Sequence, residues 1–205
     1  VATNKTGIII ANCTIRDFAT GIEFIQGVNH SQLLQNRFIN TTNGTVLTAS
    51  SLLPTNIINI TIAFNTFILS RVAINGIGVI GMNATANNIT NSSSVSIHAS
   101  GQNMIIERNQ IVGPGISTGM NFPAITRNVS IRENTINGGL TGIVFAGDNL
   151  TVVDTNVTNI VTCFSFFNRA NATFANARCD NSSRGLSLGT SASVEQSPER
   201  TCRTY

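Results

Sequence analysis

A chain of 205 residues is long enough to bury a real core, as one domain or two small ones. Only 10% of the residues are charged, and the net charge of +3 comes from 11 dispersed Arg and one Lys with no basic run, which argues against nucleic acid as a partner. No apolar run approaches the ~18 residues that carry a helix across a bilayer, so no membrane span is expected, and the polar surface falls to 27 Asn and to 43 Ser plus Thr.

VATNKTGIII opens the chain as a mature secreted protein opens once its signal has been removed. A pattern then recurs. IIANCTI, LLQNRFI, IAFNTFI, TANNIT, IERNQIV, IRENTIN and VDTNVTN align on Asn12, Asn36, Asn65, Asn87, Asn109, Asn134 and Asn156, and FANARCD adds an eighth copy with Ala177 in the Asn place. The origins lie 24, 29, 22, 22, 25, 22 and 21 residues apart. Three positions upstream of each runs an apolar column: Ile9, Leu33, Ile62, Ala84, Ile106, Ile131, Val153 and Phe174. Downstream, after a turn, come TGIEF at 20–24, TGMNF at 118–122, TGIVF at 141–145, TCFSF at 162–166 and the looser RGLSL at 184–188. Apolar residues alternate there with polar or small ones, the period of a strand with one face buried, and helix signals are absent.

Short strands that recur every 21–29 residues suit coils stacked in parallel, not the hairpins of an antiparallel sandwich. Over residues 4–190 the pattern resembles the right-handed parallel β-helix superfamily, the pectin-lyase-like fold. It implies an all-β protein: a single right-handed parallel β-helix of about eight coils over residues 1–190, with no capping helix, and a C-terminal tail at 191–205. Coils ~4.8 Å apart would stack like on like. Asn12, Asn36, Asn65, Asn87, Asn109, Asn134 and Asn156 then form an internal amide ladder at a sharp turn, where Asn tolerates a left-handed backbone. Phe122, Phe145 and Phe166 fall on successive coils as an aromatic column.

Asn-x-Ser/Thr occurs at 14 asparagines: 4, 12, 29, 40, 43, 59, 83, 88, 91, 128, 149, 156, 171 and 181. Chance placement at this Ser/Thr frequency gives about six. The excess points to N-glycosylation in a secretory route, hence to an extracellular or cell-surface location. Asn4, Asn29, Asn59, Asn83, Asn128, Asn149 and Asn171 each precede a ladder position by four to eight residues and would form a glycan-bearing stripe along one edge. A column of turn-favouring Asn without sugar is the competing reading. Asn40, Asn43, Asn91 and Asn181 complete the candidate glycosylation set, whereas Asn12 and Asn156, as inward ladder residues, are expected to stay unmodified.

The polyuronide-cleaving enzymes of the resembled superfamily imply clustered carboxylates, for general acid–base work or with calcium and a basic residue. Nine acidic residues with no adjacent acidic pair do not suggest such a cluster. Glu107, Arg132 and Asp154 lie two positions before their ladder residues, and Arg108 and Glu133 one position before theirs. Both columns alternate in sign, as an outer salt-bridge ladder requires. His30 and His98 lie about three coils apart, too far to share a metal, and no metal or cofactor is expected. GPGISTG at 113–119 leads into a strand, so it reads as a loop and not as a phosphate cradle. The near absence of Trp and Tyr weakens a sugar-stacking role.

Cys13, Cys163, Cys179 and Cys202 allow three pairings of two disulfides. Six or seven coils put Cys13 roughly 30 Å from Cys163 and Cys179, well beyond the ~7 Å Cα limit of a bridge. Cys13 also reads as an outward residue, so two readings stand: a bridge to Cys202 of a second molecule, or a free thiol. With no cap evident at either end, the leading expectation is a non-enzymatic structural protein, secreted and N-glycosylated, that stacks head to tail with itself into an extracellular filament, sheath or appendage. The alternatives are a polysaccharide lyase or hydrolase around Glu107 and Asp154, and a β-helical adhesin with its contact loop near residues 40–56.

Overall fold

The computed structural model describes residues 1–49, 56–167, 171–189 and 192–196. Among them there is no helix, and the strands join by parallel pairing into one continuous sheet wound as a β-solenoid of about eight turns. This is the parallel β-helix that the period predicts.

Each coil contributes three strands. The first sheet stacks Ile9–Ala11, Asn29–Leu34, Ile57–Ala63, Asn83–Thr85, the end of Val95–Glu107, Arg127–Arg132, Asp148–Val153, Asn171–Ala175 and Ser193–Gln196. The second stacks Thr14–Arg16, Arg37–Ile39, Thr66–Ile68, Asn88–Thr90, Gln110–Val112, the starts of Thr135–Phe145 and Asn156–Phe166, and Arg178–Asp180. The third runs from Ala2–Thr3 through Thr20–Ile25, Asn43–Thr48, Val72–Ile80, the start of Val95–Glu107, Thr118–Phe122 and the ends of the two long strands to Arg184–Leu188. Ser193–Gln196 pairs with Asn171–Phe174, so the solenoid continues past residue 190 into the segment read as a tail. Part of the anticipated contact loop is likewise strand, because Asn43–Thr48 lies between its neighbours in the third sheet; residues 50–55 lie outside the described residues.

The core is a set of side-chain columns inside the three sheets. Leu33, Ile62, Ala84, Ile106, Ile131 and Val152 are fully buried in register, continued by Phe174. Phe122, Phe145 and Phe166 share one column in the third sheet. The first two rings are tilted at 6.2 Å and 57°, whereas Phe166 packs edge-on against Phe174 at 5.6 Å. The flat stack is found elsewhere, between Phe38 and Phe67 at 4.6 Å and 5°.

The amide ladder runs through Asn36, Asn65, Asn87, Asn109 and Asn134, each about 1% exposed. The main-chain N–H of Asn65 donates to Asn87 Oδ1 (3.0 Å), and Asn65 Nδ2 donates to the same oxygen (3.0 Å). Asn87 Nδ2 in turn donates to Ile62 O of the coil before (2.8 Å). One side chain thus replaces the backbone bonds that the corner interrupts, and the ladder's own amide groups are satisfied.

Two of the seven sequence-aligned positions are corrected. In the first coil the ladder place belongs to Cys13, whose N–H donates to Asn36 Oδ1 (3.0 Å); Asn12 sits one residue earlier, exposed, at φ 57°. In the seventh coil it belongs to Thr155, whose Oγ1 accepts from Asn134 N (3.5 Å), while Asn156 pairs with Thr135 on the outer side of the second sheet. Val152 and not Val153 therefore enters the apolar column, and Ile10 rather than Ile9 pairs with Leu33. The left-handed backbone also lies one residue before the ladder, at Asn12, Gln35, Phe64, Ala86, Arg108, Glu133, Asp154 and Asn176. That column holds seven residue types, so the corner imposes the conformation whether or not the residue favours it.

Candidate functional site

With the interior occupied by packing, recognition or modification falls to the outer surface, and above all to the three corners where coils turn. Between the third and first sheets lie His30, Asn59, Asn103, Asn128 and Asn149, all with left-handed backbone. Their side chains bond from coil to coil: Asn128 Nδ2 donates to Asn103 Oδ1 (3.1 Å), Asn149 Nδ2 to Asn128 Oδ1 (3.2 Å), and Asn59 Nδ2 meets His30 Nε2 at 3.2 Å. Between the second and third sheets Asn40 Nδ2 donates to Asp17 Oδ1 (2.8 Å), Asn159 Nδ2 to Asn137 Oδ1 (2.8 Å) and Asn181 Nδ2 to Asn159 Oδ1 (2.5 Å).

None of the 14 sequon asparagines is buried. Asn4, Asn40, Asn59, Asn91, Asn128, Asn149, Asn171 and Asn181 are exposed, and Asn29, Asn43 and Asn83 are half-buried. The five buried ladder asparagines carry no sequon, for a geometric reason. Two residues after each comes an inward side chain, Phe38, Phe67, Ile89, Ile111 or Ile136, where a hydroxyl would enter the core. At an outward Asn in a strand the same spacing brings the Ser or Thr to the same outer face, as in Asn128/Ser130 and Asn149/Thr151. Asn12 is exposed and outside the ladder, so the reason for expecting it to escape modification is removed. Asn156 is half-buried, with Oδ1 covered and unpartnered.

The charge columns differ from the sequence expectation. Glu107 pairs in register with Arg132, but the next residue in that column is Val153, so Asp154 is not its continuation. Arg132 Nε donates to Ser130 Oγ (2.7 Å), and Glu107 is held within its own coil by Arg108 at 2.5 Å. That hydrogen bond first, then the charge of Glu107, holds the Arg108 guanidinium above its ordinary pKa. The slip by one residue also places Glu133 directly before Asp154 in the left-handed column, since Glu133 N donates to Val153 O and Asp154 N to Ala175 O. Two carboxylates therefore do occupy neighbouring coils, both exposed at a corner, and Asn176 Nδ2 donates to Asp154 Oδ1 (2.7 Å). The adjacency was hidden because it depends on register and not on sequence separation. Among the described residues the one ion pair between coils joins Arg127 to Asp148 at 3.8 Å, and no group of three or more His, Cys, Asp or Glu is arranged to hold a metal. His98 lies half-buried on the outer side of the third sheet, in register with Asn75 and Asn121. Its Nδ1 meets Asn121 Nδ2 at 3.2 Å, and burial lowers its pKa.

Cys163 and Cys179 form a buried disulfide across neighbouring coils, Cα to Cα 6.0 Å. Cys13 is a free, exposed thiol at the ladder place of the first coil, not on the outer face. Cys202 lies outside the described residues.

No protein-family model matches the sequence, and no curated protein matches it. Solved structures do match the fold. The A-module of the mannuronan C-5 epimerase AlgE4 of Azotobacter vinelandii superposes with a TM-score of 0.66 at 10% identity, over 93% of this chain and 58% of that one. PfbA, a surface adhesin of Streptococcus pneumoniae, gives 0.59 at 12% identity over 96% and 63%. The catalytic unit of an α-1,3-glucanase from Streptomyces thermodiastaticus gives 0.55 at 16% identity over 94% and 49%. The fold that these matches share with the chain is the parallel β-helix. The likeness is one of fold, and the chain spans less than two thirds of each of these structures.

Proposed function

We propose that this chain is an extracellular, N-glycosylated β-helix whose principal role is structural, a rod that lengthens by stacking coils on coils. The observation that carries the reading is the division of its asparagines: five buried without sequons act as internal ladder, and 14 outside the core carry them. The Cys163–Cys179 disulfide supports an oxidising compartment. Support for self-stacking comes from the first coil, where Cys13 holds the ladder place with its thiol exposed and Ile10, which continues the core column of Leu33, is only half-buried. A second copy, or a further coil of a longer polypeptide, would satisfy that edge.

Negative-stain microscopy and non-reducing electrophoresis of native material test the reading. Filaments, or a ladder of bands that Cys13→Ser abolishes, support polymerisation; isolated short rods running as one band refute it. Intact mass before and after enzymatic deglycosylation tests the sugar independently.

One observation favours a second reading, an enzyme acting on polysaccharide: Glu133 and Asp154 lie on neighbouring coils, and the fold is shared with an epimerase and a glucanase. A uronide and glucan panel assayed with the natural chain and with Asp154→Asn separates the two, since activity lost in the variant would establish the enzyme.

A further inference from the structure

Three asparagines are followed directly by glycine: Asn43, Asn75 and Asn137. The pair has a chemistry of its own, because glycine puts no side chain in the way when its main-chain nitrogen approaches the preceding carboxamide carbon. Attack forms a C–N bond and closes a five-membered succinimide, while the side-chain nitrogen leaves as ammonia with the proton given up by the attacking amide. Water then adds to one of the two ring carbonyls and that carbonyl's C–N bond breaks, leaving aspartate or, through the other carbonyl, isoaspartate. One water is taken up and one ammonia released for each amide converted.

The fold treats the three sites differently. Closing the ring requires the Asn–Gly peptide to rotate out of its strand setting, and close packing opposes that rotation. Gly44 is buried within Asn43–Thr48, where a Cβ would meet Phe67 Cδ1 at 2.5 Å and Ala73 O at 2.6 Å. Gly76 is also buried, and it pairs in register with Leu47 on one side and Ala99 on the other. Gly138 is half-buried at the corner between the second and third sheets, has no register partner in either neighbouring coil, and is followed by Gly139. Both glycines have positive φ, 87° and 122°, in a stretch of backbone with no Cβ to hinder its rotation. The carboxamides differ as well. Asn75 Oδ1 is buried without a donor, whereas Asn137 Oδ1 accepts from Asn159 Nδ2 of the next coil at 2.8 Å. Negative charge gathers on that oxygen when the nitrogen attacks, so the contact stabilises the tetrahedral intermediate.

We propose that Asn137 is a site of self-modification, which cyclises onto Gly138 and opens to a carboxylate, while Asn43 and Asn75 keep their amides. The assignment holds whether the rod polymerises or cleaves. The new carboxylate stands in register with Thr158 and, one coil further, with Asp180, so conversion adds a second negative charge to a column that holds one. Isoaspartate also lengthens the main chain by one carbon, which disturbs the pairing of Asn137 with Val112 and Thr158.

Protein secreted to a bacterial periplasm, which forms the disulfide without adding N-glycan at Asn43, is held folded in mildly alkaline buffer beside a urea-unfolded control. Peptide mapping by mass spectrometry reads the amide-to-acid mass rise at each site, and electron-transfer fragmentation separates aspartate from isoaspartate. In the folded chain Asn137 is expected to convert at least about tenfold faster than Asn43 or Asn75, and the three rates should converge in urea. Asn159→Ala, a change at an exposed residue, should slow Asn137 at least about threefold with the other two rates unchanged and circular dichroism confirming the fold. Conversion at Asn43 or Asn75 as fast as at Asn137, an Asn137 that stays intact while the unfolded chain converts, or an undiminished rate in Asn159→Ala would overturn the assignment.

Discussion

Asn109 shows what one ladder residue does. Its Oδ1 accepts from Asn87 N (3.0 Å) and Asn87 Nδ2 (2.9 Å), and its Nδ2 donates to Ala84 O (2.8 Å) and Asn134 Oδ1 (3.0 Å). Asn109→Ala leaves several of these partners buried without replacement, at about 1–3 kcal/mol for each unsatisfied group. A loss of about 3 kcal/mol or more is expected in urea denaturation, well beyond that of Asn103→Ala on the exposed corner. His98 is the residue whose titration should couple to folding. Because burial lowers its pKa in the folded chain, the unfolded chain binds a proton that the folded chain does not as pH falls below the ordinary value of ~6.5. Stability is thus fully present above that pH and declines as pH drops toward the lowered folded value. Thermal midpoints compared at pH 7.5 and 5.0 should converge in His98→Gln relative to the natural chain, once the change common to both proteins is subtracted.

At the scale of the element, the third sheet depends on glycines for closeness and not for turning. Gly142 lies within the strand Thr135–Phe145, and a Cβ there would stand 2.6 Å from Cys163 O and 2.6 Å from Val157 Cγ1. Backbone on one side and core on the other leave nothing to yield, so Gly142→Ala is expected to destabilise by about 1–3 kcal/mol, measured as a lower denaturant midpoint. The disulfide closes a separation of 16 residues between neighbouring coils. Removing it as Cys163→Ala with Cys179→Ala should lower stability by about 3 kcal/mol, and hydrogen exchange should rise first in Asn171–Ala175 and Arg178–Asp180, the strands it ties down.

For the whole molecule, the tight coil spacing governs glycan occupancy. Asn128 and Asn149 stand in register on successive coils and share a hydrogen bond of 3.2 Å, whereas branched glycans are far wider than the ~4.8 Å strand spacing. Site-specific glycopeptide mass spectrometry should find molecules glycosylated at one of the two far more often than at both. Asn149→Gln should then raise occupancy at Asn128. Full occupancy of both on the same molecules would show that the corner fans out more than its strand pairing implies.

The sequence alone determined the period, the parallel stacking and most of the interior. Leu33, Ile62, Ala84, Ile106 and Ile131, with the Asn36–Asn134 ladder, were legible because a buried column selects its residue type in every coil. The tertiary structure alone decided register in the first and seventh coils. Asn suits the left-handed corner, the ladder and the outer strand face alike, so in ANCT and VDTNVT its identity does not say which place it fills. Only the parallel bonds to the neighbouring coil do, and they put Cys13 and Thr155 in the ladder. A slip of one residue reverses the faces of a strand. That reversal brought Asn12 into solvent, dissolved the expected Glu107–Arg132–Asp154 ladder and set Glu133 beside Asp154. A corner groove between Gly139, Val161 and Ser183 was equally hidden in the sequence, for it is made by residues of three coils, brought together only by the stacking of one turn upon the next.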